Sequence, residues 1–172
     1  MPTYDTFIEK LEHDECFVFT SNKSGFHGAG SAGFATFNIH GNVWRDYDYD
    51  KWEDGTKGKW NIKGQSEGFQ VGTIGCSYAI PSVTQPGRKR SISLRNIKSS
   101  VNDFYDFARN CNEMKFFVAQ DIKEGYNGYL PEEMVRVWKS DKIPENVYFY
   151  APFYAMMEPE DDVWEVFLQS PS

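Results

Sequence analysis

A chain of 172 residues with 40% hydrophobic side chains suits one domain with its own core, since single domains commonly take about 100–200 residues, so residues 1–172 are read as one domain. Its 18 basic and 25 acidic residues leave a net charge of -7, which opposes nonspecific binding to nucleic acid or to an anionic membrane. Aromatic residues make up 17% of the chain, so ring packing is expected to supply much of the burial.

In chain order, residues 3–12 are predicted as a short amphipathic helix with Phe7, Ile8 and Leu11 on one face. Residues 17–20 (FVFT) read as a buried strand that breaks into Ser21, Asn22, Lys23, Ser24 and Gly25. Gly28, Ala29 and Gly30 follow, and then small residues and aromatics, Ala32, Gly33, Phe34, Ala35 and Phe37, which suit a helix packed closely on a sheet. Backbone N–H groups at such a helix start have no partners and carry the positive end of the helix dipole, so they can hold an anion, and glycine lets a ligand approach closely. Gly28, Gly30 and Gly33 match GxGxxG, yet a dinucleotide fold would then want an acidic residue at the tip of the next strand. Residues 44–64 stand there instead, a polar and aromatic insertion expected to form a solvated hairpin. Its acidic run, Asp46, Asp48, Asp50, Glu53 and Asp54, matches no calcium loop.

Cys76 to Ile80 are predicted as a strand, with Pro81 marking its end or an exposed turn, and residues 84–90 (TQPGRKR) as a loop. Arg88, Lys89 and Arg90 in that loop form the only dense basic cluster, read as solvated. Residues 93–111 carry the clearest helical signal: Ser93 is placed as N-cap, and Leu94, Ile97, Val101, Phe104, Ala108 and Cys111 recur at three-to-four spacing. A buried strand over 115–119 (KFFVA), a second glycine loop over 121–130 and a helix opened by Pro131 follow, with Met134, Val137 and Trp138 facing inward. A strand is expected over 146–150, an acidic turn over 158–162, and either helix or strand over 163–168.

Strands alternating with helices imply an α/β fold with a mostly parallel sheet covered on both faces. Ligands in such sheets lie beyond the carboxyl ends of the strands, and both glycine loops leave their strands at that end, so they are expected to converge on one cleft. Cys16, Cys76 and Cys111 set neither a disulfide framework nor a zinc pattern, and His13, His27 and His40 have no ligand spacing with them, so no metal and no cofactor are expected. No signal peptide opens the sequence, and the apolar stretch 147–157 holds Pro152 and falls short of the roughly 18 residues of a membrane span. A soluble protein of a reducing cytoplasm is expected.

With both loops in view, the chain resembles the macro domain superfamily of ADP-ribose binders, and more narrowly small phage and prophage proteins that carry a segment like FVFxSNxxGxHGAGxA followed by one like SYAIP. The matching residues here are 17–32 and 77–81. The loop Gly125, Tyr126, Asn127, Gly128 and Tyr129 is similar to the second, GxxG-aromatic loop of macro domains. The resemblance implies a three-layer α/β/α fold with a mostly parallel mixed sheet, spanning roughly residues 16–152 in element order. It implies that Asn22 after Ser21 meets the distal ribose, that Gly28, Ala29, Gly30 and Ser31 form the first phosphate loop, and that Glu124 with residues 125–129 forms the second. Tyr126 or Tyr129 would then cover the ligand, with Asp14, Glu15 or Phe153 as candidates for adenine. The catalytic acid that hydrolytic members place near the first loop has no counterpart among Lys23, Ser24, Gly25 and Phe26.

Three functions follow. The first is a protein that binds ADP-ribose or a related nucleotide-derived molecule, capturing a signal in phage defence or counter-defence in the host cytoplasm. The second is an ADP-ribosyl hydrolase acting on protein or nucleic acid, for which Lys23, His27, Asp121 and Glu124 are the candidate catalytic groups, with a Lys23 amine beside Asp121 and His27 as a base. The third is a protein-interaction module that uses the 44–64 insertion, with a vestigial pocket.

Overall fold

A computed structural model describes residues 2–27, 30–35, 44–45, 62–63, 66–72, 74–124 and 127–158. The expectations for Gly28, Ala29, Gly125, Tyr126, most of the 44–64 insertion and residues 163–168 lie outside the described residues.

The centre of the molecule is β2, Glu15–Asn22. Its side chains alternate between two apolar faces: Cys16 and Val18 enter one cluster of buried residues, Phe17 and Phe19 the other. It pairs in parallel with β6, Cys76–Val83, on one side and with β7, Lys115–Val118, on the other. β8, Val147–Tyr150, continues the parallel run beyond β7, and β1, Thr3–Tyr4, closes that edge. β5, Gly68–Val71, is antiparallel to β6 at the opposite edge, which gives a six-stranded mixed sheet in the order β1-β8-β7-β2-β6-β5.

Among the described residues four helices cover the sheet: α1, Gly30–Phe34; α2, Leu94–Asn110; α3, Pro131–Trp138; and α4, Ala151–Met157. α2, α3 and α4 feed the cluster that contains Cys16 and Val18, while α1 lies with Ile8 and Leu11 on the Phe17 and Phe19 side. The expected α/β class with a mostly parallel mixed sheet is therefore what the chain forms. β3, Trp44–Arg45, pairs antiparallel with β4, Ile62–Lys63, apart from the main sheet.

Local chemistry explains the helix boundaries. Ser93 caps α2, its hydroxyl accepting the Asn96 N–H at 3.2 Å, and Ile97, Val101, Phe104, Tyr105 and Ala108 form the buried stripe. At the other end the Asn146 amide donates to three carbonyls, of Ala108 at 2.8 Å and of Cys111 and Met114 at 3.0 Å, which ties the end of α2 to the start of β8. An Asn146→Ala variant is expected to lose about 1–3 kcal/mol, the usual cost of orphaning part-buried carbonyls, read as a lower urea midpoint with an unchanged slope.

Two expectations are corrected. Residues 3–12 are not a helix: Thr3 and Tyr4 pair with Phe149 and Tyr150, and the Tyr4 hydroxyl donates to the Val118 carbonyl. A helix of that length is marginal alone, whereas the open edge of β8 offers unpaired backbone groups. Pro81 does not end β6, which runs on to Val83. β5 faces β6 only from Cys76 to Ala79, so among the described residues the flank opposite β2 is open at Pro81 and the missing N–H breaks no ladder there. Beyond the expected strand over 146–150, residues 151–157 form a helix to which no element was assigned, with Pro152 in its first turn, where a missing N–H is tolerated, and Phe153 and Met157 buried.

Candidate functional site

β2 is the point at which the strand order reverses, because the chain leaves it for β6 on one side and later crosses to β7 on the other. Loops that follow the carboxyl ends of β2, β6 and β7 therefore meet at one rim, the place where open parallel sheets hold ligands.

The loop after β2 is built on Asn22. Its Oδ1 accepts the Phe26 N–H at 3.0 Å and the Ser24 hydroxyl at 2.8 Å, and its Nδ2 donates to the Phe26 carbonyl at 2.8 Å. The side chain is only 6% exposed. Both acceptor positions of Oδ1 are thus taken, so Asn22 can address a sugar hydroxyl only through its second Nδ2 hydrogen. Lys23 is exposed on this loop, and the described ion pairs include none between Lys23 and Asp121. His27 is fully buried, edge-on to Phe19 with ring centroids 5.3 Å apart, which leaves it no face toward solvent.

After β7 the chain forms a 3-10 turn, Gln120–Glu124, that brings Asp121 to the start of α1. There the hydroxyl and backbone N–H of Ser31 donate to the Asp121 carboxylate. Gly30, the residue before Ser31, has φ +62°, a left-handed conformation that favours glycine. Burial raises the Asp121 carboxyl above its ordinary value near 3.8, and the Ser31 hydrogen bonds oppose part of that rise. Within the window between the ordinary and the raised value the folded chain binds more protons than the unfolded one. Stability is therefore expected to fall as pH rises through that window, and Asp121→Asn should flatten the slope in thermal melts across a pH series.

Ser31 and Asp121 border a cavity of about 280 Å³ whose other walls are Ile8, Phe17, Gly30, Phe34, Ala119 and Gln120. Ile8, Phe17 and Phe34 carry no sequence motif that marks them as ligand contacts. The alternation of Phe17 and Phe19 along β2 was the available signal, since it sets both rings on the face that α1 covers. Glu124 is exposed at the end of the turn and lies 3.9 Å from Lys123.

The second glycine loop lies against the other neighbour of β2. Asn127 Nδ2 donates to the Ser82 hydroxyl at 2.9 Å, and that hydroxyl donates to the Ser21 carbonyl at 3.4 Å, so residues of all three carboxyl ends form one chain of contacts. Ser21 uses its own hydroxyl on the Ser66 carbonyl. Tyr129 is 3% exposed, its hydroxyl against the carbonyls of Ser82, at 2.8 Å, and Ile92, so it anchors the loop and does not present a ring to solvent. Gly128 has φ +85°, and an added Cβ would sit 3.1 Å from Lys89 Cβ and 3.1 Å from Arg90 Cγ. Gly128→Ala is expected to destabilise the chain by on the order of 1–3 kcal/mol, measured by urea unfolding.

The adenine candidates do not reach this rim. Asp14 and Glu15 stand at the amino end of β2, where the Glu15 carboxylate accepts the Glu12 N–H at 2.7 Å, and Phe153 is fully buried in the core.

What is established is the class: an α/β protein with a mostly parallel mixed sheet, three of whose loops meet where the strand order reverses. No protein-family model matches the chain, and no curated protein matches it either. Among the described residues no helix is long and apolar enough to cross a membrane, and no group of His, Cys, Asp and Glu side chains is arranged to hold a metal ion.

Proposed function

We propose that this protein binds ADP-ribose or a related nucleotide-derived molecule at the carboxyl rim of its sheet, and that, as a phage-type macro-domain-like protein, it captures a defence signal. The observation that carries this reading is the cavity of about 280 Å³ beside the Ser31–Asp121 contact, at the reversal point of a parallel sheet. Small-molecule sites are concave, mostly apolar and carry a few convergent polar groups. Two phenyl rings, Ile8 and Ala119 supply the apolar walls, and Asp121, Ser31 and Gln120 supply the polar groups. That volume suits one ring system, with the remainder of the ligand lying along the loops toward Asn127 and Gly128. Calorimetry with ADP-ribose, NAD and cyclic nucleotides is expected to give saturable binding of at least one of them. Absence of heat and of any thermal shift with all of them contradicts this reading.

One observation favours hydrolysis as a second reading. Asp121 is a carboxyl raised by burial, and a carboxyl poised nearer neutrality is suited to proton transfer. Chromatography of ADP-ribosylated protein and nucleic acid after incubation decides it, with loss of the modification by the native chain and not by Asp121→Asn as the supporting result. Substrate left unchanged at high protein concentration leaves binding alone.

A further inference from the structure

Residues 84–91 leave β6 at the same rim and are held in place by their own backbone. The Arg88 N–H donates to the Gln85 carbonyl at 3.1 Å, the Ser91 N–H to the Arg88 carbonyl at 3.2 Å, and the Thr84 N–H to the Ser91 hydroxyl at 2.8 Å. Arg90 then fastens this loop to the second glycine loop. Its N–H donates to the Asn127 carbonyl at 2.9 Å, and its guanidinium donates to the Gly128 carbonyl at 3.1 Å. The same guanidinium grips both Glu133 oxygens, at 2.5 and 2.8 Å, and lies 5.1 Å from the Tyr129 ring centroid. That pairing holds the Glu133 carboxyl down at about 2 and consumes the Arg90 charge.

Arg88 and Lys89 differ. Both are exposed, neither takes part in a described ion pair, and Lys89 packs on Gly128. In a chain of net charge -7, two adjacent cations with no ion pair among the described residues thus stand beside Gly128 of the second glycine loop.

From this placement we infer that Arg88 and Lys89 form an anion subsite that receives a phosphoryl group of the bound small molecule. A guanidinium fork and a mobile ammonium together suit phosphate oxygens, and a loop already ordered by Arg90 loses little freedom on binding. The inference rests on the proposed function in that it places the charged part of the same ligand.

Inorganic pyrophosphate is the probe, titrated into the full chain at low salt with backbone NMR shifts as the readout. Saturable shifts are expected at residues 88–91 and 127–129. The double substitution Arg88→Ala with Lys89→Ala is expected to weaken binding about tenfold or more and to flatten its salt dependence. Both residues are exposed, so the thermal midpoint should not move. No binding of pyrophosphate, or equal affinity in the double variant, overturns the subsite. A parallel titration with ADP-ribose separates the two readings. Pyrophosphate bound through Arg88 and Lys89 without ADP-ribose binding removes the proposed function and keeps the subsite, whereas equal ADP-ribose affinity in both proteins does the reverse. Tighter binding of a short oligonucleotide than of either small molecule overturns the small-molecule assignment.

Discussion

Replacing Phe104 by alanine is expected to cost about 3–5 kcal/mol, the range for emptying a large buried aromatic position. Phe104 is fully buried and lies among four rings, those of Tyr78 at 4.9 Å, Phe116 at 5.5 Å, Tyr105 at 5.7 Å and Trp138 at 6.1 Å between centroids. These rings come from β6, β7, α2 and α3, so one side chain joins the sheet to two of the three helices of that layer. The strands beneath it are held by their ladders and the helices above it by each other, which limits collapse into the vacated space. Urea unfolding should show the loss as a lower midpoint. A change under roughly 0.5 kcal/mol, the size of an ordinary surface substitution, contradicts this account of the core.

Asn22→Ala is expected to cost about 2–4 kcal/mol, because one truncation removes three hydrogen bonds, each worth about 1 kcal/mol and more where a buried group loses its partner. The three bonds close the turn from Asn22 to Phe26, and that turn directs the chain from the rim of β2 toward α1. Local damage should exceed global damage. Hydrogen exchange at the Phe26 amide is expected to accelerate more than exchange along β2, and equal protection of that amide in the two proteins would count against the role assigned to Asn22. A binding defect in the same variant therefore reports on loop shape as well as on any direct ligand contact.

The parts of the fold that could be read from the sequence are those specified locally. α2 shows its stripe and Ser93 its cap within a few residues, Pro131 marks the first turn of α3, and the run Phe17 to Phe19 carries enough apolar character to declare a strand. The N-terminal segment misled because Phe7, Ile8 and Leu11 have helical spacing, while the competing influence, the free edge of β8, lies at the far end of the chain. Pro81 misled for the same reason: whether a proline breaks a strand depends on what flanks it, and only the position of β5 reveals that.

The candidate site divides in the same way. Glycine loops are visible as composition, so Gly30, Asn127 and Gly128 were selected. The contacts that shape the rim, Ser31 with Asp121, Ser82 with Asn127 and Arg90 with Glu133, join residues far apart in sequence whose types alone announce nothing. His27 was selected by its position beside the glycines, and the packing of Phe19 against it is what turns it inward.

The central place of β2 bears on how the chain is made. Its partners begin at Cys76 and Lys115, so a nascent polypeptide exposes an apolar strand early and has nothing to pair it with until much more has been synthesised. Such distant pairing slows folding and lengthens the interval in which the unpaired strand can join that of another molecule. Recombinant yield should accordingly respond to growth temperature and translation rate more than to any single stabilising substitution.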